Sequence, residues 1–136
     1  MNTQLHRARY VQDAIATATP ARLLTMLYDR LVRDIAGAEL AIASGEHSEA
    51  NSLLLHAQDI VVELQASLDV TVWEGGKGLQ ELYRYLYSEL IKANIHKDRS
   101  KVAVCLRIVE PLREAWHEAA ILAAGGVAAG SVIRVG

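Results

Sequence analysis

Thr19-Pro20-Ala21-Arg22-Leu23-Leu24-Thr25-Met26-Leu27-Tyr28-Asp29-Arg30-Leu31 opens the part of the chain that decides the fold. Thr19 can accept from the orphan amides of a helix start. Pro20 suits the first helical position, where its missing N–H has no partner to lose. From there Leu24, Tyr28, Leu31, Ile35, Ala38 and Ile42 recur at spacings of 4, 3, 4, 3 and 4. That is one face of a long helix. Asp29/Arg33 and Arg30/Asp34 stand at i,i+4 on the opposite face, and Ser44-Gly45 supplies a C-terminal stop.

Working outward, three more helical patterns appear. The second, about Glu46 to Asp69, carries the stripe Ala50, Leu53, Ala57, Ile60, Leu64 and Leu68. The third, after Gly75-Gly76-Lys77-Gly78, carries Leu79, Leu82, Tyr83, Leu86, Leu90 and Ala93. The fourth, from Asp98 or Ser100 to about Ala124, carries Val102, Leu106, Val109, Leu112, Trp116 and Ala120. Pro111 lies inside it and predicts a kink or a break. Each pattern is about 30 to 37 Å long as a helix. The links between them are short, which places neighbours antiparallel. The expected fold is all-α, an antiparallel up-down-up-down four-helix bundle over 19–124. Residues 1–18 are weakly periodic and read as a flexible N-terminal arm. Residues 121–136 hold four Gly and few charges. The end of that stretch, 125–136, reads as a flexible Gly-rich C-terminal tail, since glycine at that density opposes a helix.

The 136 residues suit one domain with its own core. The chain is 51% hydrophobic but only 5% aromatic, so Leu, Ile, Val and Ala carry the apolar share. A net charge of −2, with Lys and Arg scattered among Asp and Glu, disfavours nucleic-acid binding. The opening Met1-Asn2-Thr3-Gln4-Leu5-His6-Arg7 lacks the apolar core of a signal peptide, and no apolar run is long enough for membrane insertion. The reading is a soluble cytoplasmic protein. Cys105 is the lone cysteine, so no internal disulfide can form, and it reads as a small core hydrophobe.

Chemistry-bearing motifs are scarce. Gly75-Gly76-Lys77-Gly78 lacks the phosphate-loop pattern and no strand precedes it. Glu114 and His117 show Glu-x-x-His spacing once, where a di-metal bundle needs it twice. No catalytic residue, cofactor or metal site is expected. Apolar residues instead exceed what one stripe per helix consumes: Leu54, Leu55, Val61 and Val62 on the second, Tyr85, Tyr87, Ile91 and Ile95 on the third, Leu23 and Leu27 on the first. Either they widen the core, or they form a second face that accepts a partner helix. An arm bearing Tyr10 and Val11 can cover that face when it is empty.

Tyr10 and the run Thr17 to Asp29 resemble the N-terminal motif of the flagellin-specific export chaperone family, FliS. Gln58 to Asp69 is similar to that family's second-helix motif. Leu82-Tyr83-Arg84-Tyr85-Leu86 with Leu90-Ile91-Lys92-Ala93-Asn94 resembles its third, and Leu112-Arg113-Glu114-Ala115-Trp116 its fourth. The motifs stand in order over roughly residues 10 to 120. The loop Val72 to Gly78 departs from the family pattern, and the Gly-rich tail has no counterpart in it. The resemblance implies a helical bundle in the bacterial cytosol that binds the disordered C-terminal segment of flagellin. It implies that premature polymerisation is blocked and that the cargo is delivered to a flagellar export gate component. The motifs and the surplus residues together nominate Tyr10, Leu27, Leu54, Val61, Leu64, Leu68, Tyr83 and Tyr87 for the flagellin-binding groove. Two alternatives stay open: a homo-oligomeric bundle, with a homodimer as its simplest form, and a metal-binding bundle around Glu114 and His117.

Overall fold

The computed structural model of the chain describes residues 20–71 and 74–135, with side chains as far as Ala124. Four helices follow one another: α1 (Pro20–Ala43), α2 (His47–Ser67), α3 (Gly76–His96) and α4 (Arg99–Val135). No strand occurs among the described residues. Cross-helix pairs fix the directions. Glu39 near the end of α1 meets Arg99 at the start of α4 at 3.7 Å, and Asp29 nearer the start of α1 meets Arg113 further along α4 at 2.6 Å. Asn94 late in α3 donates to Asn51 early in α2 at 2.9 Å, and Lys101 early in α4 reaches Glu89 late in α3 at 3.4 Å. The helices therefore run up, down, up and down. α1 packs on α2 and α4, and α3 packs on the same two, which closes the bundle.

The corners follow from local chemistry. Gly45 sits at φ 74°, in the left-handed region that glycine enters without a Cβ penalty. Its N–H reaches Ile42 O at 3.1 Å and the Glu46 N–H reaches Ala41 O at 2.8 Å, a Schellman closure. Lys97, at φ 48°, closes α3 the same way, with Asp98 N–H on Ala93 O at 3.0 Å. Its ammonium also donates to Asn94 O at 2.6 Å. α3 begins at Gly76, so Gly76-Lys77-Gly78 is its first turn and not a loop before it. A Cβ at Gly76 would lie 2.8 Å from Val70 Cα, so only glycine lets the α2–α3 link pass this closely.

The core is built from Tyr28, Leu31, Ile35 and Ala38 of α1, and from Leu54, Ala57, Ile60, Val61 and Leu64 of α2. α3 adds Leu79, Tyr83, Leu86, Leu90 and Ala93, and α4 adds Val102, Cys105 and Val109. This corrects half of the expected groove set. Leu54 and Val61 are 0% exposed, Leu64 and Tyr83 1%, so all four lie inside the bundle. The reason is geometric: α2 packs between α1 and α3 and buries two adjacent rows. Only a further row, with Leu55 and Val62, faces outward.

One further expectation narrows and another changes. Of the kink or break expected at Pro111, the break does not occur, since α4 continues through it as one helix. Pro111 and Arg107, whose carbonyl loses its donor, are both exposed, so solvent can serve that carbonyl. The backbone of α4 also remains helical to Val135, past the expected end near Ala124. Ala119, Ala120, Ala123 and Ala124, the best helix formers, lead into the glycines there. Thr19 and the arm over 1–18 lie outside the described residues.

Candidate functional site

α1 begins with more apolar residues than one stripe can bury. Tyr28 and Leu31 point inward, while Leu23, Leu24, Met26 and Leu27 spread around the first turns. Across from them α2 ends in small or short side chains, Ala66 and Ser67, both exposed. Big residues on one wall and small ones on the other leave an open trough of about 1020 Å³. Pro20, Ala21 and the four large α1 residues form one wall, Glu63, Ala66 and Ser67 the second, and the Trp116 indole of α4 closes the side. Leu27 and Glu63 also line a smaller continuation of about 360 Å³, with Arg30, His56, Asp59 and Ile60. The two together make one groove along the α1–α2 seam.

The indole is held from both sides. Its ring stacks on Tyr28 with centroids 6.5 Å apart and planes at 24°. The Tyr28 hydroxyl lies 2.5 Å from that of Tyr83, buried in the core. Burial, with the Tyr83 hydroxyl beside it, holds the Tyr28 phenol well above its ordinary pKa, so the pair stays neutral. Flanking Trp116 on α4, Arg113 Nε and His117 Nε2 each donate to Asp29 Oδ1 at 2.6 Å. Partial burial pushes the Asp29 carboxyl up, but the hydrogen bonds from His117 and Arg113 outweigh it and leave its pKa below 3.8. Further along α1, the carboxylate of Asp34 is 2% exposed. It accepts from Arg30 Nε at 3.4 Å and from His56 Nδ1.

Of the seven nominated residues that the structure describes, only Leu27 lines the groove. Leu68 and Tyr87 are half-buried and pack against the core, and Tyr10 lies outside the described residues. Tyr83 bonds Tyr28, which stacks on the Trp116 indole, and Leu64 lies in the core. Leu24, Met26, Ala66 and Trp116 were not nominated. The available signal was the run Leu23-Leu24-Thr25-Met26-Leu27, whose four apolar residues span an arc of about 160° at 3.6 residues per turn, wider than a single stripe. Trp116 reads in sequence as core, yet it is half-buried at the trough's edge.

The described residues hold no group of three metal-ligating side chains, and His117 is engaged by Asp29. Burial pushes the Cys105 thiol up to about 12, an inert state for a nucleophile. No described helix is long and apolar enough to cross a membrane.

A helical bundle with an apolar trough that its described residues leave unfilled, and with Asp29, Arg113 and His117 holding the wall beside Trp116, belongs to the class of binding proteins that present a groove to a chain segment. The comparisons sharpen this. The family model described as flagellar protein FliS matches residues 1–123. The flagellar secretion chaperone FliS of Bacillus subtilis (strain 168) is 34% identical over 110 residues, which cover 81% of this chain and 82% of that protein. The flagellar secretion chaperone FliS of Salmonella typhimurium is 29% identical over 112 residues, or 79% of this chain and 82% of its own. A crystal structure of a flagellar chaperone from bacteria shares the fold, with TM-score 0.68 and 17% identity over 85% of this chain and 95% of that one. The chain therefore belongs to the FliS family of flagellar secretion chaperones, and it is not an enzyme.

Proposed function

We propose that this chaperone binds the disordered C-terminal segment of flagellin as a helix in the α1–α2 groove. A flagellin held this way cannot polymerise in the bacterial cytosol, and the complex is handed to a component of the flagellar export gate. The observation that carries the reading is the apolar trough from Pro20 to Trp116, which the bundle's own core leaves unfilled. Ordering a disordered segment costs about 2 to 5 kcal/mol or more. Burial at about 25 cal/mol per Å² offsets this once a few hundred Å² of apolar surface is covered. Leu27 makes direct contact, and the half-buried Leu68 and Tyr87 are met only by a segment that continues beyond the groove over α2 and α3.

Calorimetric titration of the purified chain with a peptide of the flagellin C-terminal segment tests this. Saturable binding with a negative heat-capacity change is expected. An absence of binding contradicts it.

A further inference from the structure

The α1–α2 groove has an asymmetric rim. On the α1 side, Arg30 is engaged by Asp34, as is His56 across the seam. On the α2 side, Asp59 and Glu63 line the groove, stand one helical turn apart and are exposed. Among the described residues neither has a hydrogen bond or an ion pair. Side chains at i,i+4 are about 5 to 6 Å apart, so the two carboxylates form a short negative edge above the apolar floor of Leu27 and Ile60. From Pro20 to Arg30 the α1 wall runs about 15 Å, which matches about three turns of a docked helix.

We propose that the segment seated in this groove is an amphipathic helix that carries Lys or Arg at positions i and i+4 along the edge facing α2. The proposal rests on the groove being the flagellin seat and adds the charge pattern that selects the segment. The apolar stripe, repeating every three to four residues, fills the trough between Leu23, Leu27 and Ala66. The basic pair meets Asp59 and Glu63. A segment of equal hydrophobicity with acidic flanks places like charges together and is rejected.

The test uses the full chain and three probes: the flagellin C-terminal segment and two designed helices with the same leucine stripe, one flanked by Lys and one by Glu. Dissociation constants are measured by calorimetry at low salt for the native chain, for Asp59→Asn/Glu63→Gln, and for Glu74→Gln/Glu81→Gln. The last pair makes the same change in net charge away from the groove. The Lys helix is expected to bind the native chain and the remote variant about three- to tenfold tighter than the Glu helix. The rim variant is expected to bind the two helices equally. No preference in the native chain, or a preference that survives in the rim variant, overturns the proposal. So does a result in which neither helix binds and the rim substitutions weaken self-association of the chain. Rim-dependent preference without flagellin binding contradicts the flagellin reading and leaves the rim standing. Flagellin binding without helix preference contradicts the rim alone. Circular dichroism of both variants checks that these exposed substitutions leave the fold intact.

Discussion

Asp29 of α1 and Arg113 of α4, 84 residues apart in sequence, meet at 2.6 Å beside the indole that walls the groove. His117 donates to the same oxygen, so one carboxylate fastens both flanks of Trp116 to α1. The folded-state pKa of Asp29 lies below its ordinary 3.8. Its contribution to stability is therefore fully present above 3.8 and is lost as pH falls through the lower folded value. Asp29→Asn is expected to destabilise the chain by about 1 kcal/mol or less at neutral pH. Urea midpoints at neutral pH and at about pH 3 check this. The gap between native and variant should narrow in acid, and a gap independent of pH contradicts it.

The hydroxyls of Tyr28 and Tyr83 satisfy each other in the core. Tyr28→Phe or Tyr83→Phe leaves one of them without that partner, at a cost of about 1 to 3 kcal/mol. The double variant removes both polar groups and should cost less than the sum of the singles. Additive urea-derived losses would show that the pair is not coupled.

Three backbone positions separate strain from tolerance. Pro111 lies on the exposed side of α4, so Pro111→Ala should stabilise by up to about 3 kcal/mol by restoring a donor and relieving the clash with the preceding turn. Gly78→Ala has open space at its Cβ and should gain about 0.5 to 1 kcal/mol. Gly76→Ala should lower the melting temperature, because its Cβ meets the Val70 backbone. Thermal unfolding ranks all three, and equal effects at Gly76 and Gly78 contradict the close approach.

Much of the bundle was legible because periodicity reports burial directly. The stripe of α1 and the Ser44-Gly45 stop are where the spacing placed them. Ion pairs were less legible. Asp29 and Asp34 read as partners of Arg33 and Arg30 on a solvated face. Asp29 instead turns to α4, while the Arg30–Asp34 pair forms as its spacing placed it, but with Asp34 buried and also engaged by His56. An i,i+4 pattern gives a local option, while tertiary packing decides which partner is reached. The groove was half legible for a related reason. Surplus apolar residues are visible in sequence, but which row faces out depends on what stands opposite it. Leu54 and Val61 lie where neighbouring helices cover them, whereas the first turns of α1 face an end of α2 that offers only Glu63, Ala66 and Ser67.

That distinction predicts opposite phenotypes for one kind of substitution. Val61→Glu places a carboxylate at a site with no exposure and should unfold the bundle, at a cost of several kcal/mol. Leu23→Glu, at a residue 37% exposed on the groove wall, should keep helicity and melting close to native. It should weaken binding of the flagellin segment at least about tenfold, roughly 1.4 kcal/mol. Circular dichroism with calorimetry distinguishes the two, and a folded Val61→Glu protein contradicts the assignment of that residue to the core.

The most direct measurement uses the groove's own indole. The chain has two Trp, so Trp73→Phe leaves Trp116 as the sole reporter. Titration with the flagellin C-terminal segment should shift Trp116 emission to the blue and saturate, and adding Leu23→Glu should abolish the shift. Binding detected by calorimetry while Trp116 emission stays unchanged would place the segment elsewhere on the bundle.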